Sequence, residues 1–264
     1  MKNALYLIFI FLFLSSLLSF SCARKAVDAD LGMIETSEVI KKVRESEENV
    51  RSVKGLAVIR IETPEEAISF KQVTVAEEPN LFHLEALDPL GRTVGMITSD
   101  GEKIYLIYPE GTQVYDSLHQ FDLSSIYPAF PVRIGADGLV NFLLGRPPVK
   151  TNYEDNNIYM SKVANKLVLH VFSKEGEQES VLQINPLTYV IEEARINLDG
   201  GSATASFSDF VETDSGSLFP RRLELRLSDS VVSVKYDDKV KVNREIDRKI
   251  YKPFEPVAQF EKVF

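Results

Sequence analysis

The sequence predicts a mainly β protein of the α+β kind: one curled antiparallel sheet with an N-terminal helix and a few short helices. Three observations carry this reading. Most of the chain beyond Val53 alternates apolar and polar residues with the period of a strand. Turn signals break that alternation at short intervals, as at Thr63-Pro64, Pro79-Asn80, Asp88–Gly91, Asp100-Gly101 and Pro109–Gly111. Connections this short join antiparallel neighbours, so the strands form a meander.

The 264 residues are 44% hydrophobic and 26% charged, enough to bury a large core. The formal charge is −9, and removing the leader with its single basic residue, Lys2, makes it −10. That balance argues against nucleic acid as a partner and against a polybasic grip on anionic lipid. Cys22 is the one cysteine, which excludes an intramolecular disulfide. The three histidines, His83, His119 and His170, are dispersed, so no Cys/His metal site is expected.

Residues 1–21 read as a leader. Lys2 gives the positive end, and Ala4–Leu14 is an apolar run of about 11 residues, too short to span a bilayer without the serines that follow. The run ends Leu17-Leu18-Ser19-Phe20-Ser21-Cys22, which resembles a bacterial lipobox. Ser21 is the small residue such a cleavage site needs; Ser19 stands where leucine is preferred. The resemblance implies a lipid on Cys22. Ala23, not Asp, follows that cysteine, which implies sorting to the outer membrane. Residues 22–35 then form a short polar tether.

Ser37–Val53 is expected as a helix, with Val39, Val43, Val50 and Val53 on one stripe and Thr36 or Ser37 as cap. A stripe that narrow packs on a sheet. Strands are expected over Leu56–Ile61, Ile68–Val75, Leu81–Leu87, Thr93–Thr98, Lys103–Tyr108 and Gln113–Tyr115. Between strands Leu81–Leu87 and Thr93–Thr98, Asp88-Pro89-Leu90-Gly91 fits a type I turn, which puts Leu90 at its tip. Either Leu90 folds back beside Leu87, or it points into something apolar outside the protein.

Phe121–Tyr127 is ambiguous. Gly138–Leu144 is expected as a short helix capped by Asp137, ended by Gly145 in the left-handed region and stopped by Pro147-Pro148. Strands resume at Ile158–Val163, Lys166–Phe172, Ser180–Ile184, Val190–Leu198, Ala203–Phe207, Arg221–Leu227 and Val231–Tyr236. Leu223, Leu225 and Leu227 alternate with Glu224 and Arg226, so one face is buried and one wet. Asp237–Phe264 reads as a last strand followed by a tail; no composition shift marks a second domain.

Motifs for catalysis are missing: there is no G-x-S-x-G, P-loop, dinucleotide fingerprint or HExxH. His170, on the polar side of its strand, reads as an exposed histidine. No catalytic residue, metal site or cofactor is therefore assigned. A curled sheet of this size either packs a helix inside or encloses an apolar cavity suited to acyl chains.

Three pieces in order resemble the LolB group of outer-membrane lipoproteins: Lys54–Val58, a strand opening after an N-terminal helix; Leu84–Gly91 followed by Asp100–Leu106; and Tyr127–Pro147, where Phe130-Pro131-Val132 leads to the helix Leu139–Leu144 and then Gly145-Arg146-Pro147. A weaker echo lies at Phe219–Leu223. The resemblance covers roughly 53–243. It implies an incomplete β-barrel over residues 36–243, with a short-helix lid around a hydrophobic cavity; residues 244–264 are left over as a tail. It further implies that the cavity accepts lipoprotein acyl chains from a periplasmic LolA-like carrier, with Leu84, Leu223, Leu225 and Val234 as candidate lining. Pro89, Leu90 and Gly91 would form the loop that meets the inner leaflet of the outer membrane. Three departures stand against the family pattern: the chain has no Trp, its second half is longer, and the tail has no counterpart. A structural or partner-binding envelope lipoprotein with the same fold is the alternative.

Overall fold

The computed structural model describes residues 34–123, 133–149, 151–153, 157–198 and 201–252. Helix α1 spans Thr36–Glu48. Six strands follow: β1 Ser52–Glu62, β2 Ala67–Glu77, β3 Leu81–Leu87, β4 Thr93–Ser99, β5 Ile104–Tyr108 and β6 Gly111–Tyr115. Helix α2 spans Ala136–Leu143. Then come β7 Asn157–Val163, β8 Lys166–Phe172, β9 Gln178–Ile184, β10 Ile191–Leu198, β11 Gly201–Glu212, β12 Leu218–Leu227, β13 Ser230–Tyr236 and the two-residue β14 Lys241–Val242.

The strands form one antiparallel sheet that does not close. Its order is β6-β5-β4-β3-β2-β1-β13-β12-β11-β10-β9-β8-β7, with β14 also on β1. Two meanders are thus sewn together by the β1–β13 pair, where Ala57 faces Tyr236 and Ile59 faces Val234. Strands β6 and β7, each paired on one side only, are the two edges of this incomplete barrel.

Register sorts the side chains into two faces. Ala57 and Ile59, Phe82 and Leu84, Leu167 and Leu169, and Leu223 and Leu225 share the inner face and are buried in one core cluster. α2 packs on that inner face. The Phe142 and Phe207 rings lie 6.3 Å apart, and the buried Tyr236 hydroxyl donates to the Leu143 carbonyl at 3.1 Å. α1 covers one end of the barrel through Val39 and Val43 and packs against β7.

Several boundaries depart from the sequence reading. The first helix ends at Glu48, not Val53. Val50 and Val53 are buried as expected, but Val53 belongs to β1, where it pairs with Ala76 and Val242. Ladder pairing on both sides of β1 wins over helical continuation. Neither helix has the expected side-chain cap: Glu35 and Gly135 hold the N-cap positions, and Asp137 lies inside the first turn of α2. Gly145 does sit at φ +81°, and a Cβ there would fall 2.5 Å from Pro220 Cγ. β11 is longer than Ala203–Phe207: it pairs with β12 in one unbroken register from Ala203–Leu227 to Glu212–Leu218, past Asp209 at φ +57°. The ambiguous stretch Phe121–Tyr127 lies outside the described residues beyond Leu123.

The segment after β14 is a strap. Asn243 Oδ1 accepts from Arg51 N at 2.7 Å, and Ile246, Ile250 and Tyr251 pack on the outer face against Val73, Val75 and Leu81. This strap buries His83, whose strand position predicts a wet side chain.

Candidate functional site

The inner face is the candidate binding surface. Leu84, Leu223, Leu225 and Val234, spread over three strands, are all buried on it. Alternation placed them there, and Glu224 stands on the opposite, outer face, where it pairs with Arg226. The small side chains of Ala57, Ala194, Ala203 and Ala205 belong to the same buried cluster.

The space that remains is small. A void of about 20 Å³, room for a water molecule and not for an acyl chain, lies between Val43, Val50, Leu144, Ile191, Phe210 and Leu218. Among the described residues, Leu139, Val140, Phe142 and Leu143 of α2 occupy the inner face themselves. A wider cleft of about 730 Å³ opens at Leu118–Asp122 and Arg133–Asp137. Leu118, Phe121 and Ala136 line it together with His119, Asp122, Arg133 and Asp137, so its wall is part apolar and part charged.

Mostly apolar packing holds α2. Its polar tie to the strands is the Tyr236–Leu143 hydrogen bond. At its exit, Arg146 donates to Glu78 and to the carbonyls of Glu47 and Val50. One guanidinium thus joins α2, the C-terminal end of α1 and the β2–β3 turn. Beside it the Tyr153 hydroxyl donates to Glu47 Oε2 at 2.9 Å. Burial pushes the Glu47 carboxyl up to about 7, against that hydrogen bond and the Arg146 charge. Sequence reasoning missed this cluster, whose members lie on elements about a hundred residues apart in the chain.

Leu90 sits at the opposite end of the barrel from α1. The β2–β3 turn touches α1 through Arg146, so the β3–β4 turn lies one strand length away. Gly91 N donates to Asp88 O at 2.9 Å, closing the expected turn with Pro89 and Leu90 at its centre. Asp88 Oδ1 accepts from Leu90 N at 2.8 Å and Arg92 N at 2.9 Å, and Oδ2 from Arg92 Nε at 2.7 Å. These bonds, first those to the Arg92 backbone, hold the Asp88 carboxyl below its usual range. Gly91 adopts φ +81°. The turn is therefore braced, and the Leu90 side chain is 79% exposed instead of folded onto Leu87. Cys22 lies outside the described residues. His170 is on the outer face, with Nε2 2.9 Å from Ser161 Oγ.

No family model matches the sequence, and no curated protein matches it. Solved structures do match the fold. A LolA superfamily protein from Nitrosomonas europaea aligns at a TM-score of 0.55 and 16% identity, over 83% of this chain and 98% of that one. A domain described as an outer membrane lipoprotein-sorting protein from Vibrio parahaemolyticus aligns at 0.56 and 9%, over 81% and 94%. A DUF1329 family protein from Desulfovibrio piger aligns at 0.53 and 10%, over 82% and 96%. The chain has a LolA/LolB-type fold.

Proposed function

We propose that this chain is a lipid-anchored envelope protein that binds acyl chains on its inner face and passes lipoproteins into the outer membrane. Its anchor is Cys22, its donor a periplasmic LolA-like carrier, and its acceptor the inner leaflet of the outer membrane. Pro89, Leu90 and Gly91 form the contact with that leaflet. The similar structures, one of them described as an outer membrane lipoprotein-sorting protein, support the reading. So do the lipobox-like Leu17–Cys22 and the exposed Leu90.

One observation carries it: a mostly apolar inner face, with Gln72, Thr74, Ser99 and Ser180 as buried polar members, that a short helix occupies through apolar contacts. Such an occupant is exchangeable for an acyl chain. Withdrawing Leu139, Val140, Phe142 and Leu143 costs about 1.5–3 kcal/mol each, or about 6–12 kcal/mol in all. Burying a chain of about 15 CH₂ groups returns about 12 kcal/mol at about 0.8 kcal/mol per group. One chain roughly offsets the helix; the several chains of a lipoprotein exceed it. The exchange needs no ATP and runs downhill in lipid affinity.

The geometry also constrains the anchor. α1 and Leu90 lie at opposite ends, so a lipid on Cys22 and a leaflet contact at Leu90 require the tether to run the length of the barrel. β1 has 11 residues, about 36 Å at about 3.3 Å per residue. The 14 residues of 22–35 reach at most about 48 Å, so the tether suffices.

The seating of Leu139, Val140, Phe142 and Leu143 on the inner face favours the alternative, a structural or partner-binding lipoprotein of the same fold. Mass measurement under native conditions, after gentle purification from the envelope, separates the two. Co-purified lipid or lipopeptide is the expected result; a protein that is always empty, and stays empty with added triacylated lipopeptide, overturns the transfer reading. Cys22→Ala should abolish labelling by palmitate.

A further inference from the structure

We propose that the rim of the barrel around Leu90 is a one-sided footprint for a bilayer of zwitterionic phospholipid, made by β2, β4 and β5 together with the β3–β4 turn. The inference rests on the transfer reading for the presence of a bilayer at this end, and adds the extent of the contact, its tilt and the lipid it suits. Four of the nine large apolar side chains exposed among the described residues stand there: Ile68, Leu90, Val94 and Tyr108.

The backbone sets each of them in place. Ile68 comes three residues before Lys71, the partner of Leu87, and so stands beside the turn that carries Leu90. Ala86 pairs with Gly95 and Leu87 with Thr93, which leaves Val94 as the extra residue of a bulge. A bulge re-aims its side chain, and Val94 is 47% exposed. Tyr108 ends β5. A Cβ on Gly95 would lie 3.6 Å from the Tyr108 ring, so the glycine lets that ring lie over β4 beside Val94. A half-exposed tyrosine ring suits the boundary between headgroups and acyl chains.

The other half of the same end is polar. Its turns carry Ser228 and Asp229 between β12 and β13, and Lys174, Glu175 and Glu177 between β8 and β9, all exposed. The exposed Tyr159 of that half pairs with His170 on the outer flank of β7, not at the turns. The barrel therefore leans on its β2–β5 side and keeps the β8–β9 turn in water.

Charge selects the lipid. Beside the patch, Arg60 pairs with Glu62 and Arg92 with Asp88. The flanking turns add Glu65, Glu66 and Glu110, and β2 adds Lys71, all exposed. The excess is acidic. It repels phosphatidylglycerol and fits the ammonium headgroups of phosphatidylethanolamine.

The test places a fluorescent amino acid at Val94 or, in a second protein, at Lys174. The full lipidated chain is held in vesicles of phosphatidylethanolamine and phosphatidylcholine that contain a nitroxide lipid. Quenching severalfold stronger at 94 than at 174 is expected, and it should fall severalfold when phosphatidylglycerol replaces the phosphatidylethanolamine. Ile68→Ser with Tyr108→Ser, Leu90 kept, should lower it as well in a protein whose melting is unchanged; the change of lipid needs no such variant. Equal quenching at the two positions, or quenching at 94 indifferent to phosphatidylglycerol or to the folded double variant, would overturn the proposal. Lipopeptide transfer is read on the same samples. Normal transfer without the footprint removes this inference alone, and a footprint without transfer upholds it while the transfer reading falls.

Discussion

Phe142→Ala tests whether α2 is a displaceable occupant or a permanent part of the core. The Phe142 ring is 4% exposed and faces Phe207 at 6.3 Å. Its removal leaves a cavity under α2 and costs about 3–5 kcal/mol, as buried Phe→Ala changes do. That loss falls on the occupied, lipid-free state. A state in which acyl chains have replaced α2 never had the ring in place. If half to all of a 4 kcal/mol penalty is relieved on lipid binding, affinity rises about 30- to 700-fold at about 1.4 kcal/mol per decade. Urea unfolding measures the first effect. Titration with a fluorescent triacylated lipopeptide measures the second. The two should move in opposite directions: stability down, affinity up. Phe142→Leu, with a smaller cavity, should shift both in the same senses by less. A folded Phe142→Ala protein with unchanged or weaker lipopeptide affinity would refute the exchange of helix for acyl chain.

Four other outcomes follow from the geometry. Leu90→Glu should leave melting and lipopeptide binding unchanged, because Leu90 buries almost nothing, and should slow release into liposomes; a normal transfer rate would remove this turn from the mechanism. Deleting residues 24–30 leaves seven tether residues, about 24 Å, less than the length of β1; transfer in the lipidated protein should fall while cargo binding stays, and normal transfer would show that anchor and Leu90 need not meet one leaflet. Leu225→Glu buries an unpaired charge on the inner face and should lower the urea midpoint sharply or prevent folding, whereas Glu224→Gln on the outer face should change it little. Glu47 has a folded pKa of about 7, above the ordinary value of 4.5, so the unfolded chain ionises first; stability from this group is full below about pH 4.5 and is lost as pH rises to about 7. Glu47→Gln should flatten that part of the stability profile, read as urea midpoints across the range, and an unchanged slope would mean another group titrates there.

Much of the sheet was legible because its signals are local. Leu223 and Leu225 alternate with Glu224, and one residue of slip would reverse their faces, so the pattern fixes which side is buried. The Asp88–Gly91 turn was legible for the same reason: Asp, Pro and Gly each satisfy a separate backbone demand within four residues. The alternation could not say whether Leu90 folds back; the bracing by Asp88 and Arg92 decides that.

What was not legible depends on partners far along the chain. Val53 fits a helical stripe as well as a strand, and only its pairing with Ala76 and Val242 decides between them. His83 alternates like a wet residue, but a strap more than 160 residues later covers it. Burial holds the His83 pKa below its ordinary value, with Glu85 opposing. A curled sheet can hold a helix or a cavity at equal cost in pattern; that α2 fills it depends on contacts with separate strands, such as Phe207 of β11 and Tyr236 of β13. Arg146 sits in an unremarkable Gly-Arg-Pro, and nothing local tells that its guanidinium joins three elements.

The central claim is that acyl chains take the place of α2. Hydrogen exchange of the Ala136–Leu143 amides, with and without triacylated lipopeptide, tests it most directly. The account predicts that lipopeptide accelerates exchange in α2 while the amides of β11, β12 and β13 stay protected. Bound lipopeptide with α2 amides as slow as, or slower than, in the free protein would contradict it.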